Sequence, residues 1–389
     1  MYIKKGTLIG ITLILVIATA VVSIGIVNPF GFTAFGELLH FSYVTKLVDA
    51  AFYKDVEPEQ YMNIALEGIA AATEDPYTGY LHGDSAKQYM EDIEGNYQGI
   101  GLYIENNLDD DTITVVSAIA GTPAEAAGIT TGDKILKING ESYAGSQLND
   151  AASAMRGLEG TEVTVTVFRK NSGITEDLNL VRKKIEIQNV NGTMLTDKIG
   201  RINISQFDVG VAEDFKEIYS DLKAEGMEKL ILDLRNNPGG LVDEAVEIAG
   251  MFVEEGITIV YTMDKYENKE EYKSEGGGEK IPLVVLTNQG SASASEILTA
   301  VFKEYGIGYQ IGEKTYGKGV VQSVFNVGEE QILSVTIARY YTPNGECIHE
   351  KGIEPDKTIK MDVEKYAKLS SLEPENDEHI RAAVEYLSN

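Results

Sequence analysis

Residues 229–240 read Lys229-Leu230-Ile231-Leu232-Asp233-Leu234-Arg235-Asn236-Asn237-Pro238-Gly239-Gly240, an apolar run closed by a turn of asparagine, proline and paired glycine. A strand wetted on one face alternates apolar and polar residues, whereas a run with little alternation needs cover on both faces. The glycines provide backbone freedom for a sharp turn, and Leu241–Val253 beyond them reads as a helix. A buried strand delivered into a helix is the unit of an α/β layer. Outward from it the pattern repeats. Ile199–Ser205 reads as strand, Ala212–Ala224 as helix, Thr258–Thr262 and Pro282–Thr287 as strands, and Ala294–Glu304 as helix. Asp264–Lys280, charged and rich in glycine, reads as a surface excursion. Val320–Asn326 and Ile332–Tyr340 alternate as antiparallel strands, and Asp377–Leu387 forms a last helix.

Upstream the period changes. Glu37–Glu94 reads as helical, with Leu38, Phe41, Val44, Leu47 and Val48 at helical spacing and Asp75-Pro76-Tyr77-Thr78-Gly79 as a turn. Gly101–Glu105, Thr112–Ser117, Lys134–Ile138 and Glu162–Phe168 read as short strands around a helix at Ser146–Arg156, a separate α+β module. At the start, Lys4 and Lys5 precede the uncharged run Thr7–Val27, about 20 residues and long enough to span a bilayer. Lysines before the span and acid after it predict a single-pass anchor with the bulk of the chain outside the cytoplasm. A secretory signal peptide is the competing reading, since Ala18-Thr19-Ala20 offers a cleavage site and would leave a secreted protein.

The 389 residues carry a net charge of −28, which leaves no cationic face for nucleic acid. The lone Cys347 excludes an intramolecular disulfide, and His40, His82, His349 and His379 lack metal-ligand spacing. The sequence therefore calls for no metal and no cofactor.

Three segments can carry chemistry, and each has a bland rival. In Asn288-Gln289-Gly290-Ser291-Ala292-Ser293-Ala294-Ser295-Glu296, Ser293 stands at a strand-to-helix turn beside free helix amides, where developing negative charge is stabilised. Ser293 and Glu296 also spell a capping box, and the segment taken alone favours the cap. Gly312-Glu313-Lys314-Thr315-Tyr316-Gly317-Lys318-Gly319 nearly matches a phosphate-binding loop. However, Gly319 replaces the magnesium-binding hydroxyl, and a strand pattern follows where a helix is required. An exposed surface lysine is the commoner fate of a residue like Lys318. The third segment is the opening run itself, whose Gly239 turn can aim an amide outward. Asp233 and Arg235 need partners there and can satisfy one another.

In this order, DLRNNPGG, GSASASEI and GEKTYGKGVVQ resemble the carboxyl-terminal processing peptidases, or tail-specific proteases. The resemblance runs from about Asp75 to Pro355 and includes DPYTGYL, the PDZ-like GIGLYI and GTPAEAAGITTGDKILKING, and YYTPNG with KGIEPD. Glu346-Cys347-Ile348-His349-Glu350 departs from it in being more acidic. It implies a multidomain α+β fold with a membrane anchor or signal segment (1–28) and an N-terminal helical region (29–95). A PDZ domain (96–183), an α/β, ClpP/crotonase-like peptidase core (184–365) and a C-terminal helical segment (366–389) follow. It further implies a serine endopeptidase with Ser293 as nucleophile, Lys318 as base, Gln322 orienting the lysine, and the amides of Gly239 and Ala294 as oxyanion donors.

The PDZ resemblance implies that substrate C-termini pair beside Gly101–Glu105, with Gln98, Gly99, Ile100, Gly101 and Leu102 receiving the terminal carboxylate. Implied partners are protein tails and, through the N-terminal helix, the membrane; self-association through the N-terminal helices is compatible with the sequence but not required by it. The different-class alternative is a catalytically inactive PDZ scaffold, and the nearest mechanistic rival is a histidine triad using His349. A lysine base must be neutral, which needs a dry niche without a close carboxylate, so Glu296 and Glu313 are expected to point elsewhere.

Overall fold

The computed structural model of the protein describes residues 31–95, 97–107, 110–185, 187–361 and 373–389. Two units divide the chain, Met1–Glu74 and Asp75–Asn389. Over its described residues the first holds α1 (Gly31–Ala51) and α2 (Pro58–Ala71). Among the described helices α1 is the longest at 21 residues, but it carries Glu37, Lys46 and Asp49. Each ionised side chain at mid-bilayer costs roughly 3 kcal/mol. Among the described residues no helix is long and apolar enough to cross a membrane. For the described residues that finding corrects the expected anchor, and with it the membrane as a partner and the single-pass extracytoplasmic location; Thr7–Val27 itself lies outside the described residues.

In the second unit, β1 (Gly79–His82) and α3 (Asp84–Glu94) lead into a small sheet module. Its entry strand β2 (Gln98–Gly99) pairs with its exit strand β9 (Lys183–Lys184), so the chain enters and leaves side by side. Between them run β3 (Leu102–Asn107), β4 (Thr112–Ala118), α4 (Pro123–Ala126), β5 (Lys134–Ile138), β6 (Glu141–Ser142), α5 (Leu148–Met155), β7 (Glu162–Phe168) and β8 (Thr175–Val181). The sheet order is β3-β4-β5-β7-β8, with β6 on β5. Val163, Val165 and Val167 of β7 face inward onto Ile113, Ile135 and Met155, while Thr164 and Thr166 face outward onto Asn179 and Asp177 of β8. The period of two read from the sequence is this inside–outside alternation.

The rest of the unit is built from β10 (Val190–Met194), β11 (Ile199–Ile204), α6 (Val211–Glu225), β12 (Lys229–Asp233), α7 (Val242–Phe252), β13 (Thr258–Asp264), β14 (Lys269–Lys273), β15 (Leu283–Thr287), α8 (Ala294–Glu304), β16 (Gly308–Gly312), β17 (Val320–Gly328), β18 (Gln331–Tyr341), β19 (Lys357–Thr358) and α9 (Glu378–Ser388). One sheet runs β10-β11-β12-β15-β16-β19, with β11, β12, β15 and β16 parallel. Leu230 and Leu232 of β12 are buried with Phe215, Ile248 and Phe302, from α6, α7 and α8. Ile231 is buried on the other face with Ile380 and Leu387 of α9. Each such side chain contributes about 1.5–3 kcal/mol by leaving water, and burial on both faces is why this strand reads as unbroken apolar sequence. A second sheet runs β1-β18-β13-β14, with β17 on β18. Its β14 lies inside the expected surface excursion and β1 inside the stretch read as helical.

Candidate active site

The parallel sheet delivers two turns to one place. β12 ends at Asp233 and runs into Leu234–Gly240; β15 ends at Thr287 and runs through Asn288–Ala292 to Ser293 and α8. The turns are sewn together by small polar side chains. Asn236 N donates to Asn288 Oδ1 at 2.8 Å and Asn288 Nδ2 returns to Asn236 Oδ1 at 2.6 Å. Ser291 Oγ donates to Leu234 O at 2.8 Å and Ser295 Oγ to Asn237 O at 3.0 Å. Beneath them Asp233 and Arg235 pair with each other, Arg235 Nη2 to Asp233 Oδ2 at 2.6 Å. Arg201 adds a second cation to Asp233 at 2.7 Å, and Asp377, capping α9, adds a carboxylate to Arg235 at 2.8 Å. Burial alone would raise the Asp233 carboxyl, but the two guanidinium groups hold it well below the carboxylate range.

Ser293 is 8% exposed and has φ 53° and ψ −115°, a conformation L-residues rarely adopt. The Glu296 amide that a capping hydroxyl would accept donates instead to the Ser293 carbonyl at 2.8 Å, so the serine side chain makes no capping hydrogen bond. The other arm of the box does form, for Ser293 N donates to Glu296 Oε2 at 2.9 Å. The same oxygen accepts from Lys318 N at 2.8 Å, and Oε1 accepts from Thr315 Oγ1 at 2.6 Å and Gly317 N at 2.8 Å. One fully buried carboxylate therefore brackets the serine turn and the lysine loop. Burial pushes its pKa up, against the pull of these four donors. A strand, β17, follows Lys318 rather than the helix a phosphate-binding loop requires.

The Lys318 amine is half-buried, and loss of water lowers its pKa, while Asp75 pulls the other way. The niche is therefore not free of carboxylate charge, although Glu296 takes the backbone N–H of Lys318. The amine lies 4.9 Å from the centre of the Tyr77 ring. Burial first, then the Tyr316 hydroxyl bonded to it, pushes the Tyr77 phenol up to about 12. The His349 ring meets Tyr77 edge-on at 6.4 Å. Among the described residues no hydrogen bond joins Ser293 Oγ to Lys318 Nζ or to His349. Gln322, on β17, donates to Thr336 Oγ1 at 3.4 Å instead of to the lysine.

Ala294 is the first residue of α8, so its N–H is one of those without an intrahelical acceptor. The Gly239 N–H donates to Asn237 Oδ1 at 2.8 Å. Gly239, at φ +100°, packs so closely that a Cβ there would lie 2.7 Å from Ser293 Cβ and 2.9 Å from Ala294 N. Only glycine fits. In the sheet module, Gln98, Gly99, Ile100, Gly101 and Leu102 all line one cavity of about 210 Å³, faced by Met155 at the end of α5. Gly101, at φ +81°, leaves no room for a side chain because a Cβ would collide with Thr122. Asp75, Tyr77 and the bracketing role of Glu296 were not legible as site features. The sequence signals that could have found them are the DPYTGY turn and the S-x-x-E pair.

Residues 198–359 match the model of peptidase family S41, and residues 114–169 match a PDZ domain. A relative in Staphylococcus aureus strain N315, described as a probable CtpA-like serine protease, is 36% identical over 370 residues, covering 93% of this chain and 73% of its own length. The chain belongs to peptidase family S41. This S41 peptidase is also 35% identical over 327 residues to the carboxy-terminal processing protease CtpA of Bacillus subtilis strain 168, covering 84% of this chain and 69% of that one. The solved photosystem II D1 C-terminal processing protease superposes with a TM-score of 0.51 at 28% identity, covering 82% of this chain and 86% of its own. Family membership makes the protein a serine-type endopeptidase carrying a PDZ domain. The finer ClpP/crotonase-like label expected for the core finds no support in these matches, which establish an S41 peptidase core.

Proposed function

We propose that this S41 peptidase cleaves protein substrates near their C-termini, with Ser293 as nucleophile and Lys318 as base. The observation that carries the reading is the Glu296 bracket, a single oxygen that receives the amides of both residues. Burial of the amine supports the neutral form a base requires. Neutral Lys318 takes the Ser293 proton as the oxygen attacks the scissile carbonyl, then passes that proton to the leaving amine. Water repeats the attack on the acyl ester and returns the hydroxyl to Ser293. The Ala294 amide and the Gly239 amide, released from Asn237, hold the oxyanion; each such donor lowers the barrier by roughly 3 kcal/mol. Gln322 orients the lysine once it leaves Thr336.

Tail recognition rests on the groove between Gln98–Leu102 and Met155, where an extended chain end pairs with the edge of β3 and its carboxylate meets loop amides. The deciding experiment measures cleavage of an unfolded protein by wild type and by Ser293→Ala, alongside thermal melting. Cleavage lost with melting unchanged supports the reading. Cleavage retained removes Ser293 as nucleophile, and absence of cleavage in wild type leaves the scaffold alternative.

A further inference from the structure

The turn Asp75–Thr78 is fixed more firmly than a surface loop needs to be. Thr78 Oγ1 donates to Asp75 Oδ2 at 2.6 Å and Tyr77 N to Asp75 Oδ1 at 3.3 Å. Thr336 N of β18 donates to Thr78 Oγ1 at 3.2 Å, and β1, which follows, pairs with β18. The turn is thereby pinned to the strand that also carries the partner of Gln322. Its product is one placement, the Tyr77 ring 4.9 Å from Lys318 Nζ.

We propose that Tyr77 is a positioning residue for the lysine base, docking its ammonium form on the ring face in the resting enzyme and surrendering it when the neutral amine turns to Ser293. An aromatic face attracts a cation through its quadrupole and has no comparable hold on a neutral amine. The ring therefore favours the protonated, parked state, and proton loss is coupled to release. Two other contacts agree with a parked arrangement, Gln322 on Thr336 and the Gly239 amide on Asn237, as does the lack of a bond between the dyad side chains among the described residues. The charged and titratable groups facing the amine are Asp75 on the turn and Tyr77, whose phenol in turn meets Tyr316. His349 packs on the far edge of the ring, and Glu296 lies beneath the loop on α8. The proposal rests on Lys318 being the base.

The test is the pH dependence of kcat/KM for a tail peptide, whose acid limb reports the free enzyme's base. Four proteins are compared with wild type: Tyr77→Phe, Tyr77→Leu, a fluorinated phenylalanine at position 77, and Lys318→Ala. Asp75, Glu296, Tyr316 and His349 are present in all the position-77 proteins, so the comparison isolates the ring. Tyr77→Leu is expected to move the acid limb down by about half a pH unit, the worth of one such contact. Tyr77→Phe, which keeps the ring, is expected to leave it in place. The fluorinated ring has the shape of phenylalanine but a weakened face, so it should follow leucine even if the leucine variant folds poorly. A limb that stays put with the fluorinated ring, or that moves equally with phenylalanine, overturns the role of Tyr77. Activity retained in Lys318→Ala instead overturns the base assignment on which it rests.

Discussion

Glu296→Gln exchanges one carboxylate oxygen for an amino group and leaves the shape intact. Four donors converge on the wild-type carboxylate, at 2.6 to 2.9 Å. Were the amino group to face Ser293 N and Lys318 N, two buried amides would meet a donor. Facing the other way, it meets Thr315, whose hydroxyl can turn to accept, and orphans only the Gly317 amide. The second orientation wins. One orphaned buried amide costs about 1–3 kcal/mol, and the charge assistance lost by the remaining bonds is offset by relief from burying an anion. A net loss of about 2 kcal/mol lowers Tm by about 2–3 °C in a chain of this size. The tether between serine and lysine survives but its loop loosens, so kcat should fall by about 10–100-fold, the range expected of an ångström-scale misplacement. KM should hold, because the tail groove is untouched. Scanning calorimetry and steady-state cleavage of a tail peptide measure both. A Tm within a degree of wild type together with kcat within twofold would refute the bracket.

Lys318→Met should abolish cleavage yet melt higher than wild type at neutral pH. Burial lowers the folded lysine's pKa below 10.5, so the folded state pays to hold the charge at any pH below that lowered value. This handicap fades as pH rises towards the unfolded value, and the two melting temperatures should converge in alkaline buffer; a lower Tm for the variant at pH 7 would contradict it. Asp377→Asn weakens the buried pair with Arg235, and loss of about 3 kcal/mol should lower Tm by about 4 °C; an unchanged melt would show that Asp233 alone satisfies the guanidinium. A tail peptide with an amidated C-terminus should bind at least about tenfold more weakly, as expected when amide donors lose a charged acceptor, and equal affinity by calorimetry would remove carboxylate capture from the account.

What was legible in the sequence is what repeats along it. Leu230-Ile231-Leu232 announces a strand covered on both faces, and Val163, Val165 and Val167 announce a half-buried one, because burial imposes a period. β14 and β1 were missed because their residues are polar or few, and they are strands only by pairing with β13 and β18. The Arg235–Asp377 pair joins residues 142 positions apart, a distance over which no local pattern exists. Glu296 was visible as a helix-cap partner, but its bonds to Gly317 and Lys318 lie beyond the reach of a capping motif.

The same distinction explains how Ser293 is held. A non-glycine residue at φ 53° and ψ −115° costs of order 1–3 kcal/mol, and nothing in GSASASEI favours that conformation locally. It persists because neighbours distant in sequence overdetermine it. Leu234 O anchors Ser291, Asn237 O takes both the Ala292 amide and the Ser295 hydroxyl, and Glu296 holds the Ser293 amide to the lysine loop. A hydroxyl engaged in capping would have relaxed into the helix end. Held off the cap by contacts that also fix the lysine's backbone, the hydroxyl is left free of the helix end, and its strain is inseparable from the placement of Lys318.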